Sequence, residues 1–230
     1  MAFRFGLCLP IFISYSFAVP KCAKKNDRLR TTALPMNYRA AKHFILSQLR
    51  TSLSDRLYYH GLHHTMDVLK VSKELCASEK VRKEGVMLVK TAALFHDAGF
   101  IKDKHANHEA EGCVIVREHL PKFGYSAENI ETICGMIMAT KIPQSPKNIL
   151  EEIICDADLD YLGRDDFDKI GTSLFEELKA YHLIGDEQSW NRLQVSFLSA
   201  HQFFTKTNKI HRDPIKQAYL VGLRNLVEGY

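Results

Sequence analysis

The stretch Gly85-Val-Met-Leu-Val-Lys-Thr-Ala-Ala-Leu-Phe95-His96-Asp97 decides how this chain is read. Its apolar residues recur at helical rather than alternating spacing, and the run closes on an imidazole beside a carboxylate. A divalent cation uses such a pair when the fold holds both groups rigidly. A His-Asp pair at a helix end is by itself usually a cap or a surface pair. Its meaning therefore depends on what else the chain carries.

Two further segments supply the context. Upstream stands Tyr59-His60-Gly61-Leu62-His63-His64-Thr65-Met66-Asp67-Val68, and downstream Cys155-Asp156-Ala157-Asp158-Leu159-Asp160. Each adjoins an apolar anchor: Val68-Leu69, Ala92 to Phe95, and Ile153-Ile154. In chain order the pieces read His, then His-Asp, then Asp. This resembles the signature of the HD-domain metal-dependent phosphohydrolase superfamily, over about residues 56–165.

The resemblance implies a site in which His64, His96, Asp97 and Asp158 converge on a divalent metal ion (Mn, Fe, Co, Ni, Mg or Zn). The string Tyr59-His60-x-x-x-His64-x-x-Asp67-Val68 is similar to the corresponding segment of the cyclic-nucleotide phosphodiesterase branch. There the later histidine binds metal and the earlier one donates a proton. The resemblance thus implies His64 as ligand and His60 as general acid, with Asp97 orienting the attacking water. His63 falls on another face of the helix and reads as a surface residue. The triplet Ala157-Asp158-Leu159 fits the superfamily's last ligand and selects Asp158. Asp156, two residues away, cannot point the same way from a helix.

His108, opening Asn107-His108-Glu109-Ala110-Glu111-Gly112, resembles a histidine of two-metal members, which makes it a candidate for a second metal or a substrate contact, with a polar helix-start residue as the alternative reading. Those members add another histidine after the next helix. Here that region reads Met136-Ile137-Met138-Ala139-Thr140-Lys141 and has none. Lys141, Lys206 and Arg212 are candidate phosphate-binding residues, the last two only if the C-terminal end folds back over the metal. A solvated basic loop is the plainer reading of Lys206, Lys209, His211, Arg212 and Lys216.

Beyond these motifs the pattern is helical almost throughout. A helix opens at Met36 or Asn37, and helical runs follow near 63–78, 80–97, 106–119, 126–140, 147–158, 165–183, 187–205 and 212–227. Breaks fall at Gly99, Pro121 with Gly124, Pro143 with Pro146, Gly163, Gly185 and Pro214. Trp190, Phe197 and Phe204 recur at seven-residue spacing, as core. No strand-like alternation of useful length, repeat or internal linker appears. The expected fold is all-α, a single HD-type helical domain over residues 36–230.

The 230 residues suit one domain of generous size, and 46% hydrophobic with 25% charged residues is ordinary for a soluble globular protein. A formal charge of +4 is too small to argue for a nucleic-acid polymer. The six cysteines form no CxxC pattern, and four lie in apolar helical stretches, where free cysteine packs as a small hydrophobe.

Residues 1–35 read as an N-terminal extension, either disordered or the product of a start assigned too early. A weak secretory signal is the competing reading, because Phe5 to Val19 is apolar. Against it stand the interruptions at Pro10 and Ser14 to Ser16 and the poor cleavage site at Phe17-Ala18-Val19. The run is also short for a membrane span.

The expected activity is metal-dependent hydrolysis of a phosphoester, a nucleotide or another small phosphorylated metabolite. The enzyme would be cytoplasmic, with no nucleic-acid polymer and no membrane as partner. The guanosine polyphosphate branch carries an acidic pair after the His-Asp motif, and Phe100-Ile101-Lys102-Asp103-Lys104 lacks it. The cyclic-dinucleotide branch carries a Gly-Tyr-Pro triplet, absent here. The alternative is a non-catalytic HD-fold module that binds nucleotide and reports it to a partner.

Overall fold

The computed structural model describes residues 35–102 and 107–230. Among them are ten α-helices and no strand: α1 (Tyr38–Ser52), α2 (Leu62–Ser78), α3 (Lys83–Phe95), α4 (His108–His119), α5 (Ala127–Ala139), α6 (Ile149–Asp158), α7 (Phe167–Ala180), α8 (Glu187–Ala200), α9 (Lys206–His211) and α10 (Asp213–Glu228). The fold is all-α. The expectation for residues 1–35 lies almost wholly outside the described residues, as do Cys8 and Cys22.

Five of the ten helices start where the sequence offers a side-chain acceptor for an orphan backbone N–H. Asn37 caps α1, Ser126 caps α5, Asn148 caps α6, and Asp186 and Thr205 cap α8 and α9. Helix α3 is the central one. Leu88, Val89, Thr91, Ala92, Ala93, Leu94 and Phe95 are all buried, so its last two turns are covered on every side. It packs against α1, α2, α5 and α6. This cover is what makes the following residues, His96 and Asp97, a rigid pair.

The core has two parts. The larger, centred on Phe95, Ile133, Met136, Ile137, Ile153 and Ile154, joins α1 to α6. The smaller, containing Tyr59, Leu159, Leu162, Phe167, Leu198 and Phe203, lies under α7, α8 and α10. The residues that carry chemistry sit where the two meet.

Two helix expectations need correction. The run drawn from residue 80 begins at Lys83, because Lys80 takes a left-handed backbone conformation with φ 56°. The run drawn through 187–205 ends at Ala200, where His201 turns extended with ψ 137°. The reason is tertiary. Buried Asp156 accepts hydrogen bonds from Phe204 N (2.8 Å), Thr205 N (2.9 Å) and Thr205 Oγ1 (2.6 Å), and these hold the chain out of helix. Phe204 is therefore not the third member of the Trp190–Phe197 stripe.

Candidate metal centre and its cavity

Three helix ends build the site. His64 stands in the first turn of α2, which opens at the extended Gly61. His96 and Asp97 follow the last residue of α3, and Asp158 is the last residue of α6. Both carboxylates thus occupy the negative ends of helix dipoles, where an anion is unfavourable and a cation is favoured. A cationic partner offsets that cost.

The four side chains meet. Nε2 of His64 lies 3.0 Å from Asp158 Oδ1, 3.5 Å from Asp97 Oδ2 and 3.3 Å from Nε2 of His96. Nε2 of His96 lies 3.1 Å from Asp97 Oδ2 and 3.4 Å from Asp158 Oδ1. Donor atoms about 2.1 Å from one ion stand about 3.0–3.4 Å apart at octahedral to tetrahedral angles, the spacing found here. Asp97 Oδ2 is buried with no aligned hydrogen-bond donor among the described residues. His64, His96 and Asp158 thus form a cluster that could hold a metal ion, and Asp97 points an orphaned oxygen into it.

The surroundings prepare the ligand atoms. Nδ1 of His96 faces the Ala93 carbonyl at 3.0 Å and donates to it, so Nε2 presents its lone pair to the cluster. Burial alone would lower the His96 pKa, but the Asp97 and Asp158 carboxylates drive it well above the ordinary value. Burial would likewise raise Asp97 and Asp158. Opposed by the neighbouring imidazoles, chiefly His96 for Asp97 and His64 with His96 for Asp158, both are held well below the usual carboxylate range. A bound divalent cation would compete with protons for these nitrogens and oxygens.

Asp156 has a different task. It is fully buried, faces the Phe204-Thr205 turn and belongs to the packing of the C-terminal segment. Asp158 alone of the two reaches the histidines.

His60 lies beside the cluster, its ring centroid 6.0 Å from that of His64. Its Nδ1 is 2.5 Å from Oε1 of Glu177, a fully buried residue of α7. The other oxygen, Glu177 Oε2, accepts from the backbone N–H groups of Tyr59 (2.8 Å) and His60 (3.0 Å). Burial would lower the His60 pKa, but the bond to Glu177 and the charges of Asp97, Glu177 and Asp158 raise it above its ordinary value. The ring stacks on Phe100 (centroids 4.4 Å apart), which stacks on His108 (4.3 Å). Glu177 was missed in the sequence. The available signal was an acidic residue on the apolar stripe Phe167, Ile170, Leu174 of α7.

His108 opens α4 with Nε2 3.5 Å from both Asp97 Oδ1 and Glu109 Oε1. Gly99 makes this approach possible: a Cβ there would come 2.0 Å from the His108 carbonyl oxygen. His60, Asp97, His108 and Asp158 share the wall of one cavity of about 220 Å³, whose remainder is mostly apolar.

The candidate phosphate-binding residues lie apart from that wall. Lys141 Nζ donates to Asn107 Oδ1 at 3.1 Å, Lys206 is exposed, and Arg212 Nε donates to Asp160 Oδ1 at 2.8 Å beside a different cavity. None of the three lines the cavity at the cluster. The C-terminal segment does fold back, but α8 presents Trp190 and Phe197 to the cavity rather than the basic residues.

Comparison with known proteins agrees with this architecture. Residues 61–160 match the family model of the HD domain. A predicted HD superfamily hydrolase from an uncultured Thermotogales bacterium shares 20% identity and a TM-score of 0.54, covering 82% of this chain and 92% of that one. Bacillus subtilis YpgQ, solved in complex with ADP, shares 22% identity and a TM-score of 0.54 over 83% of this chain and 97% of its own. No curated protein is significantly similar in sequence. The His, His-Asp and Asp positions all fall inside the matched segment, so residues 61–160 of the chain carry an HD domain.

Proposed function

We propose that the chain is a metal-dependent phosphohydrolase of small phosphoesters, with His64, His96, Asp97 and Asp158 as metal ligands and His60 as general acid. The observation that carries the reading is a buried cluster in which Nε2 of His64 and of His96 each lie 3.0–3.5 Å from an Asp97 and an Asp158 oxygen, with His60, held by Glu177, lining the adjoining cavity. A bound divalent cation supplies Lewis acidity, both toward a phosphoryl oxygen and in lowering the pKa of water.

The remaining work falls to side chains. Asp97 turns Oδ2 into the cluster and leaves Oδ1 toward His108, where it accepts a hydrogen bond from the incoming water. His108 contacts the phosphoryl group. Glu177 takes Nδ1 of His60, so Nε2 is the ring nitrogen left for the cavity. Its carboxylate also favours the charged ring, which then gives its Nε2 proton to the departing alkoxide. The buried helix ends hold these groups in place before substrate arrives.

Among the described residues no helix is long and apolar enough to cross a membrane. Cys76, Cys113, Cys134 and Cys155 are free and buried, which supports a reducing, cytoplasmic setting for the proposed enzyme. The test is hydrolysis of mono- and bis-(4-nitrophenyl) phosphate and of a nucleotide panel by protein loaded with Mn, Fe, Co, Ni, Mg or Zn. Turnover should vanish with chelator and return with metal. A second reading, a nucleotide-binding module without turnover, is favoured by the complex of YpgQ with ADP. Tight ADP binding by metal-loaded protein that hydrolyses nothing in the panel would establish it.

A further inference from the structure

We propose that the cavity beside the cluster is a leaving-group chamber for an apolar alcohol, so that the substrate is an alkyl or aryl phosphomonoester of modest size. This rests on the hydrolase reading above and adds the substrate class to it. The chemistry of the walls carries the argument.

One side of the chamber is polar and holds His60, Asp97, His108, Glu109 and Asp158. The opposite side is made by Leu162, Phe167, Leu174, Trp190, Phe197 and Leu198, from the segment after α6 and from α7 and α8. Among the described residues that line it there is no lysine or arginine. The groups among these lining residues that can offer positive charge to a phosphoryl group are the histidines, together with the ion proposed for the cluster. Further phosphates of a nucleoside polyphosphate would find no cationic side chain on this wall.

Two of the few polar side chains among the apolar residues already commit donors to the protein. Thr140 Oγ1 donates to the Ile137 carbonyl at 2.8 Å, and Gln194 Nε2 donates to Asn191 Oδ1 at 3.1 Å. A sugar or nucleobase placed here would lose water without recovering its hydrogen bonds, at a cost that grows with each unpaired group. An apolar group loses nothing of that kind and gains by burial. Size agrees: a cavity of about 150 Å³ lined by Leu, Ile and Phe takes up benzene. The chamber's 220 Å³ admits one ring or a short alkyl chain in addition to the ester oxygen.

Trp190 is the chain's single tryptophan and lines the chamber, so its emission reports occupancy without any turnover. The experiment uses the full-length chain loaded with Mn. Ethyl, butyl, hexyl, phenyl and 6-hydroxyhexyl phosphate and ADP serve as substrates, and the matching alkylphosphonates as non-hydrolysed ligands read by Trp190 fluorescence. Affinity should tighten about fourfold per methylene until the chamber is full. Hexyl phosphate should exceed ethyl phosphate in kcat/KM by about 10²-fold. The 6-hydroxyhexyl ester, with the same reach and a polar end, should fall back toward ethyl.

Hydrolysis that is indifferent to chain length, or that prefers ADP or the hydroxylated ester, would overturn the chamber and leave the hydrolase reading standing. Phosphonate binding that follows chain length without hydrolysis of any ester would support the chamber and overturn the hydrolase reading. Neither binding nor hydrolysis would overturn both.

Discussion

Glu177 and His60, separated by 117 positions in sequence, share a 2.5 Å contact between Oε1 and Nδ1 at the edge of the cluster of His64, His96 and Asp158. The same carboxylate holds the backbone of Tyr59 and His60. One buried group thus fixes the position, the tautomer and the charge of the histidine proposed as general acid. It acts through His60 and is a positioning residue. His60→Ala should keep metal and lose about 10²–10⁴-fold in kcat on an alkyl ester. A nitrophenyl ester, whose leaving group needs little protonation, should be spared. Glu177→Gln should show the same leaving-group dependence more weakly, with the limb of the pH–rate profile assigned to His60 moved to lower pH. Equal losses on both esters with an unmoved profile would show that Glu177 serves structure alone.

Asp156 and Asp158 offer a sharp contrast. Asp156→Ala removes the acceptor of three hydrogen bonds that shape the turn before α9. It should cost about 3 kcal/mol, lowering Tm by about 10 °C, while metal content stays at the parent level. Thermal unfolding and metal analysis of the same sample check this. Loss of metal with unchanged Tm would reverse the two roles.

Gly99→Ala should damage the site from outside it. The added Cβ would sit 2.0 Å from the His108 carbonyl oxygen, so the start of α4 must move. Since His108 faces Asp97 Oδ1 from that helix start, turnover should fall more than metal affinity does. Parent-like kcat and KM would show that His108 has no part in the reaction.

That His64, His96, Asp97 and Asp158, the proposed metal ligands, come together was legible because each stands at the start or end of a helix anchored by apolar residues, in an order along the chain that links them. The all-α class was legible from helical spacing in the same way. What escaped had its cause in tertiary contacts. The end of α8 at Ala200 is set by Asp156 from a distant helix, against a local pattern that runs on through Phe203 and Phe204. Glu177 is an acid in an apolar stripe, and its partner lies on another segment. Lys206 and Arg212 looked like phosphate ligands by charge and chain position, but Arg212 is taken by Asp160 and α8 turns its aromatic side to the cavity.

One part of the acid sensitivity of folding should arise at His201, away from the proposed metal cluster. His201 packs against Lys216, whose buried amine donates to the His201 carbonyl at 2.6 Å and lies 3.4 Å from Nδ1. Asp213 holds that amine at 2.9 Å. Burial, with the Lys216 charge, pushes the His201 pKa down to about 4. Between the ordinary value of 6.5 and about 4 the unfolded chain carries the proton and the folded chain does not. Keeping His201 neutral therefore costs nothing above about pH 6.5, and its cost to stability grows as pH drops through this window. His201→Gln should flatten that part of the Tm–pH curve. An unchanged slope in the variant would assign the acid sensitivity elsewhere.

The most direct measurement is the metal content of purified parent protein and of Asp97→Ala, Asp158→Ala and Asp156→Ala, each with circular dichroism to confirm the helical fold. Asp97 and Asp158 aim oxygens at the nitrogens of His64 and His96, whereas Asp156 faces the other way. The parent and Asp156→Ala should carry stoichiometric metal and hydrolyse a phosphoester. Asp97→Ala and Asp158→Ala should be folded, metal-free and inactive. Full metal content in folded Asp97→Ala or Asp158→Ala would contradict the proposed metal centre.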